Sequence, residues 1–263
     1  MYRRAFIQKT FILGGLASGL SSFTPIKKSH IITLSFDDGF KKSFYRIAEI
    51  FEQFNLRACL NVIASGHLSS YKPPTHYMEL ETGNFDDWNL LKKRGHEIMP
   101  HSWDHSDLTH MPLEKAKEDI TRCLDYFAEH LEGYDAAKAV YNFAYNASNP
   151  ELEQYVLGKV VAVRSGGPTI NPYPRTTSKF RLGCQSFGPE NADPWLKQQI
   201  SRFLAGSGGW LILNLHGLDE EGWGPVSSAC LKDTLSQLSD LKHVEVLPAG
   251  EVIARVLKND PTK

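Results

Sequence analysis

Two adjacent carboxylates, Asp37-Asp38, close the apolar run Ile31-Ile32-Thr33-Leu34-Ser35-Phe36. A second run, His96-Glu97-Ile98-Met99, leads into His101-Ser102-Trp103-Asp104-His105, and a third, from Trp210 to Leu215, ends on His216. Two acids and three histidines at the ends of strand-like segments suit a mononuclear metal hydrolase: hard and borderline ligands, a base and an acid. Neighbouring acids repel unless a cation or distinct environments separate them. Side chains alternate along an extended chain, so one aspartate can face a metal while the other faces the substrate water. Asp-Asp-Gly is equally sound turn chemistry taken alone. His101 and His105, four apart, would share one face of a helical turn and reach the same ion.

Positioning these groups requires strands that end at a common rim. Strand candidates are Ile31–Phe36, Ala58–Ala64, His96–Met99, Ala139–Tyr145, Val160–Val163, Trp210–Leu215 and Val244–Leu247. Helical patterns lie between them over Lys41–Phe54, Leu113–Leu131, Trp195–Leu204 and Ser227–Leu241, and Asn84 caps a short helix ending near Gly95. Seven or eight β/α units with short, continuous apolar strands predict an α/β fold, a distorted barrel of parallel strands in a single domain over residues 30–258. An open doubly wound sheet is the alternative, but no Gly-rich phosphate loop follows any strand. Residues 165–194, rich in turn signals, break the alternation and read as a long loop walling the site. Asp37, Asp38, His101, Asn146, Arg164 and His216 all fall where strands end, the catalytic rim of barrels.

The chain has 263 residues, 41% of them hydrophobic, enough for one large core. Its 29 basic and 30 acidic residues leave a net charge of −1, with no basic stripe for nucleic acid. Residues 1–24 read as an export segment: Arg3-Arg4, the apolar stretch Phe11–Ala17, then small residues. The Arg3–Lys9 run resembles a twin-arginine signal, and an ordinary secretory signal fits the same residues. The apolar stretch is too short to anchor as a span, so a periplasmic or extracellular monomer is expected. Cys59, Cys123, Cys184 and Cys230 form no C-x-x-C pair; export would permit a disulfide, but Cys59 in an apolar run and Cys123 in a helical pattern favour free thiols.

The stretch Thr33-Leu34-Ser35-Phe36-Asp37-Asp38-Gly39 resembles the first motif of the polysaccharide deacetylases, carbohydrate esterase family 4. His101-Ser102-Trp103-Asp104-His105 resembles the second motif and Leu213-Asn214-Leu215-His216 the last. The resemblance implies a barrel holding one divalent metal, usually zinc, through Asp38, His101 and His105, with Asp37 as general base and His216 as general acid. It implies deacetylation of an acetylated glycan; a silent glycan-binding barrel and a small-molecule amidohydrolase are the other readings.

Departures from the family pattern are specific. The third motif, typically Arg-Pro-Pro-Tyr, reads Ala144-Tyr145-Asn146-Ala147 here. The base-orienting arginine is therefore lost unless Arg164 supplies the charge, a surface cation being the other reading. The backbone N–H that helps the oxyanion falls on Ala147. Asp193-Pro194-Trp195 is a poor stand-in for the fourth motif. Asn214 stands where an apolar residue commonly lines the acetyl methyl pocket, which suggests a substrate altered near its acyl group or a rim hydrogen bond. Trp103 and Trp223 are candidate sugar-stacking residues, whereas Trp88 is expected in the core.

Overall fold

The computed structural model describes residues 29–258 except 74–76, 78 and 175–178, so the expected export segment lies outside the described residues. Element order is β1 (His30–Phe36), α1 (Lys41–Glu52), β2 (Cys59–Val62), α2 (Phe85–Lys93), β3 (Glu97–Pro100), α3 (Leu113–His130), β4 (Val140–Asn142) and α4 (Pro150–Leu157). There follow β5 (Ala162–Gly166), β6 (Ile170–Asn171), β7 (Phe180–Cys184), α5 (Asp193–Leu204), β8 (Gly209–Leu215), α6 (Ser228–Ser239), β9 (Val244–Val246) and α7 (Ala249–Lys258).

Seven parallel strands run in the spatial order β3-β2-β1-β8 and β4-β5-β7. The two arcs join at β7 and β8 through a parallel bridge between Gln185 and Leu213, where Asn214 N donates to Gln185 O at 2.9 Å. At the other seam β3 and β4 share no ladder. Asn142 Nδ2 donates to Pro100 O at 3.2 Å and Val140 N to Met99 Sδ at 3.4 Å, and these bonds span the gap. The ring is a distorted α/β barrel, as its strand pattern predicts. β8 covers one edge of β1 from His30↔Gly209 to Phe36↔Leu215. The other edge is shared: β2 pairs with Ser35 and Phe36, β9 with His30 to Ile32.

Alternation along β1 sorts the two cores. Ile32, Leu34 and Phe36 pack outward against Phe44, Ile47 and Phe51 of α1, whereas Thr33, Ser35 and Asp37 belong to the interior. That interior holds Cys59, Val140, Ala162, Phe180, Leu182, Trp210 and Ile212, and α7 plugs its lower end with Ala249, Val252 and Ile253.

Residues 165–194 depart from the expected loop. They contain β6, antiparallel to β8, and β7, which completes the ring; the stretch after Cys184 reaches the cavity wall through Ser186. The pattern Phe180-Arg181-Leu182-Gly183-Cys184 does alternate, but flanking Pro and Gly residues mask a strand of five residues. α4 also escapes the periodicity, although Asn149 caps it on Leu152 N and Pro150 occupies its first turn. All four cysteines are buried and free. Trp88 is in the core at 1% exposure. No helix among the described residues is long and apolar enough to cross a membrane.

Candidate active site

Asp37 follows β1 with its N–H bonded to Leu215 O at 2.9 Å, and Asp38 then turns sharply at φ 80° into Gly39 at φ 83°. Positive φ is costly for an aspartate, and the turn throws the two carboxylates to different neighbours. A Cβ on Gly39 would sit 3.2 Å from the Trp88 ring, so the turn is also pressed against the core.

His101 leaves β3 with its N–H on Val62 O at 2.9 Å. The expected helical turn through His105 is absent. Residues 101–107 form a bent loop with Ser102 at φ 64° and His105 at φ 61°, closed by His105 N donating to Ser102 Oγ at 3.0 Å. The loop is pinned to the end of β2 by Ala64 N on Ser102 O and Ser65 N on Trp103 O. The two imidazoles converge by loop closure, not by helical period.

Asp38 Oδ1 lies 3.4 Å from His101 Nε2 and 3.3 Å from His105 Nε2, and the three side chains offer ligand atoms all within 4.8 Å of one another. Asp38 Oδ1 is buried without a hydrogen-bond partner. His101 Nδ1 meets Asn142 O at 3.0 Å; donating there leaves its Nε2 lone pair for a ligand role. Burial lowers the His105 pKa to about 4, so that ring is neutral near pH 7 as a metal ligand must be. Burial works against the Asp38 charge, yet His105 and His101 outweigh it and hold the carboxyl well below its ordinary range. One oxygen and two nitrogens around an unsatisfied buried acceptor fit a divalent cation with open positions.

Asp37 is enclosed at 1% exposure. Asn61 Nδ2 donates to its Oδ1 at 2.7 Å; Arg164 Nη2 at 2.6 Å and Asn214 Nδ2 both donate to its Oδ2. Burial pushes this carboxyl up, but the Arg164 guanidinium, with His101 and His216, brings it below its ordinary pKa. Arg164 is fully buried, which overturns both the surface-cation reading and a direct substrate contact. Its Nε donates to Asn142 Oδ1 at 2.6 Å and its Nη1 to Asn146 Oδ1 at 3.1 Å. Asn61 and Asn142 escaped the sequence reading. Each is an uncharged amide in a short, fully buried strand, where apolar residues are the norm, and that mismatch was the available signal.

A cavity of about 430 Å³ is lined by Asp37, Asp38, His101, His105, Asn214 and His216, with Tyr77, Tyr145, Asn146, Ser186 and Trp223 around them. Trp223 meets the His216 ring edge-on at 5.5 Å, and His216 Nδ1 is buried with no hydrogen-bond partner among the described residues. Asp193 does not supply one, since its carboxylate binds Ser227 N and Oγ at 2.8 and 2.6 Å. Trp103 is not part of the cavity wall: it is 7% exposed, under the Arg122 guanidinium at 3.8 Å and edge-on to Tyr126. Ala147 N–H is already spent, donating to Ala144 O at 3.0 Å.

Residues 25–156 of the chain match the polysaccharide deacetylase family. No curated protein sequence matches it. A putative polysaccharide deacetylase from Mycobacterium smegmatis has a similar structure, with 13% identity and a TM-score of 0.67 over 88% of this chain and 91% of that one. The peptidoglycan deacetylase PdaC from Bacillus subtilis gives 16% identity and 0.53 over 88% and 92%. A family 4 pseudoenzyme from Bacillus anthracis gives 12% and 0.55 over 87% and 66%, so likeness of fold does not by itself decide activity. The family match spans Asp37, Asp38, His101 and His105, and this chain is a member of the polysaccharide deacetylase family.

Proposed function

We propose that the chain is an exported, metal-dependent hydrolase that removes acetyl groups from a glycan. The observation that carries this reading is the convergence of Asp37, Asp38, His101, His105 and His216 on one cavity. Its volume of about 430 Å³ lies in the range of small-molecule sites. Asp38, His101 and His105 would hold the ion, zinc being suited to two imidazoles and a carboxylate. When bound it supplies Lewis-acid polarisation of the acyl carbonyl.

The protein's own groups divide the remaining work. Asp37, kept ionised by Arg164, takes the proton of the attacking water while a C–O bond forms and the carbonyl π pair moves onto oxygen. The carbonyl then re-forms, the C–N or ester C–O bond breaks, and His216 protonates the departing amine or alcohol. Tyr145, 58% exposed, and Trp223 offer flat faces at the rim for a sugar ring.

Metal content and acetate release, measured on a panel of N- and O-acetylated glycans and small acylated amines, test the reading. About one equivalent of metal with acetate released from glycans is expected. Metal without turnover would leave the silent glycan-binding barrel, and turnover confined to small amines the amidohydrolase. Cell fractionation of wild type tests export, and Arg3→Lys/Arg4→Lys separates a twin-arginine signal, which should fail, from an ordinary secretory one, which should not.

A further inference from the structure

Two backbone donors of the turn after β4, including the one at Ala147, are already taken. Asn146 N–H donates to Phe143 O at 3.2 Å and Ala147 N–H to Ala144 O at 3.0 Å. Its geometry is unusual: Tyr145 at φ 57° and Asn146 at φ 54° are both left-handed, although neither is glycine. Asparagine tolerates that region, but tyrosine rarely adopts it, and backbone strain of this kind is retained at working sites. The consequence is that the Asn146 side chain turns into the cavity.

Its amide can face only one way. Asn146 Oδ1 accepts from Arg164 Nη1 at 3.1 Å and Cys184 Sγ at 3.1 Å, with Asn214 Nδ2 at 3.4 Å. All are donors, and the guanidinium never titrates, so oxygen is fixed on that side and Nδ2 on the other. Among the described residues Nδ2 has only a long contact to Ser186 Oγ, at 3.4 Å, and Ser186 is another residue of the cavity wall. The same guanidinium holds Asp37 Oδ2 at 2.6 Å through Nη2. One planar fork therefore fixes the base and an amide donor side by side.

We propose that the Asn146 side-chain amide donates a hydrogen bond to the oxyanion in place of the backbone N–H at Ala147. This inference rests on the hydrolase reading above. As water attacks the acyl carbon, its proton passes to Asp37 and the carbonyl π pair becomes the oxyanion's lone pair. That oxygen accepts from Asn146 Nδ2–H, and the bond weakens again when the carbonyl re-forms and the amine leaves with a proton from His216. A donor strengthened only in the transition state raises kcat without tightening substrate binding.

Asn146→Asp keeps an oxygen for Arg164 and removes the donor; Asn146→Ala removes both. With an N-acetyl glycan that wild type turns over, each variant should lose about 10²- to 10³-fold in kcat with little change in KM. By calorimetry, affinity for a methylphosphonamidate analogue of that glycan, whose tetrahedral P–O⁻ imitates the intermediate, should fall in parallel. Asn146→Asp with wild-type kcat, or equal loss of affinity for substrate and analogue, would overturn the role of Asn146. No acetate release by wild type from any acetylated glycan would instead sink the hydrolase reading, and this proposal with it.

Discussion

Arg164 Nη2 and Asp37 Oδ2 meet at 2.6 Å across 127 residues of sequence, with both side chains 1% exposed. An ion pair this deep is stable only when most of its spare donors are satisfied, and here Asn142, Asn146 and Cys184 take three of the four remaining guanidinium N–H groups. The cation that the third motif lacks at Ala144 is thus present on β5.

Arg164→Met should raise the Asp37 pKa, because the charge that holds it down is removed. The acid limb of kcat/KM should then move to higher pH, whereas Arg164→Lys should restore it in part. Steady-state profiles of both variants check this, and a fixed acid limb in Arg164→Met would show that the pair does not set the ionisation of the base.

The two aspartates should separate cleanly by metal content. Asp38→Ala, His101→Ala and His105→Ala remove ligand atoms and should purify without the ion. Asp37→Asn should keep the ion and lose a factor on the order of 10² to 10⁴ in kcat, the contribution of a positioned base. Elemental analysis decides it: metal lost with Asp37 but kept with Asp38 would reverse the two assignments.

At the opposite end of the barrel, Glu97 lies under α7. Cys59 Sγ donates to its Oε1 at 3.3 Å, and the amides of Gly250 and Glu251 approach it. Burial, aided by the Glu251 charge, raises its pKa from 4.5 to about 7. The fold therefore favours the protonated carboxyl. That stability is fully present below about pH 4.5 and lost as pH rises through about 7. Glu97→Gln should melt higher than wild type at pH 8, with the gap closing toward pH 5. Parallel melting curves across that range would exclude Glu97 as the titrating group.

How far the sequence reached follows from what each residue needed. β1 and β8 were legible because their apolar runs end abruptly on Asp37 and His216. β7 was not, since its ladder depends on β5 far from the local pattern. Asp37, Asp38, His101, His105 and His216 could be named from type and spacing. Asn61 and Asn142 could not, because their value lies in contacts across the barrel that no local period encodes. Arg164 could be named as a candidate, but its partner Asp37 is a tertiary fact.

Asn214 combines a useful contact with an unsatisfied one. Its Nδ2 donates to Asp37 Oδ2, while its Oδ1 is buried without a partner. A buried acceptor left unpaired costs about 1–3 kcal/mol. Leucine has the same branching and no polar atom, and the adjoining cavity gives its bulkier methyls room, so Asn214→Leu should remove that cost and leave the thermal midpoint equal or higher. The same change takes one donor from the base, which then sits less firmly and is less well held as an anion, so kcat should fall. Stability gained where activity is lost is the signature of a polar group retained for function. Melting curves and acetate release on one set of preparations test both halves. A rise in turnover on N-acetyl glycans would instead mean that Asn214 obstructs the methyl group, with its bond to Asp37 incidental.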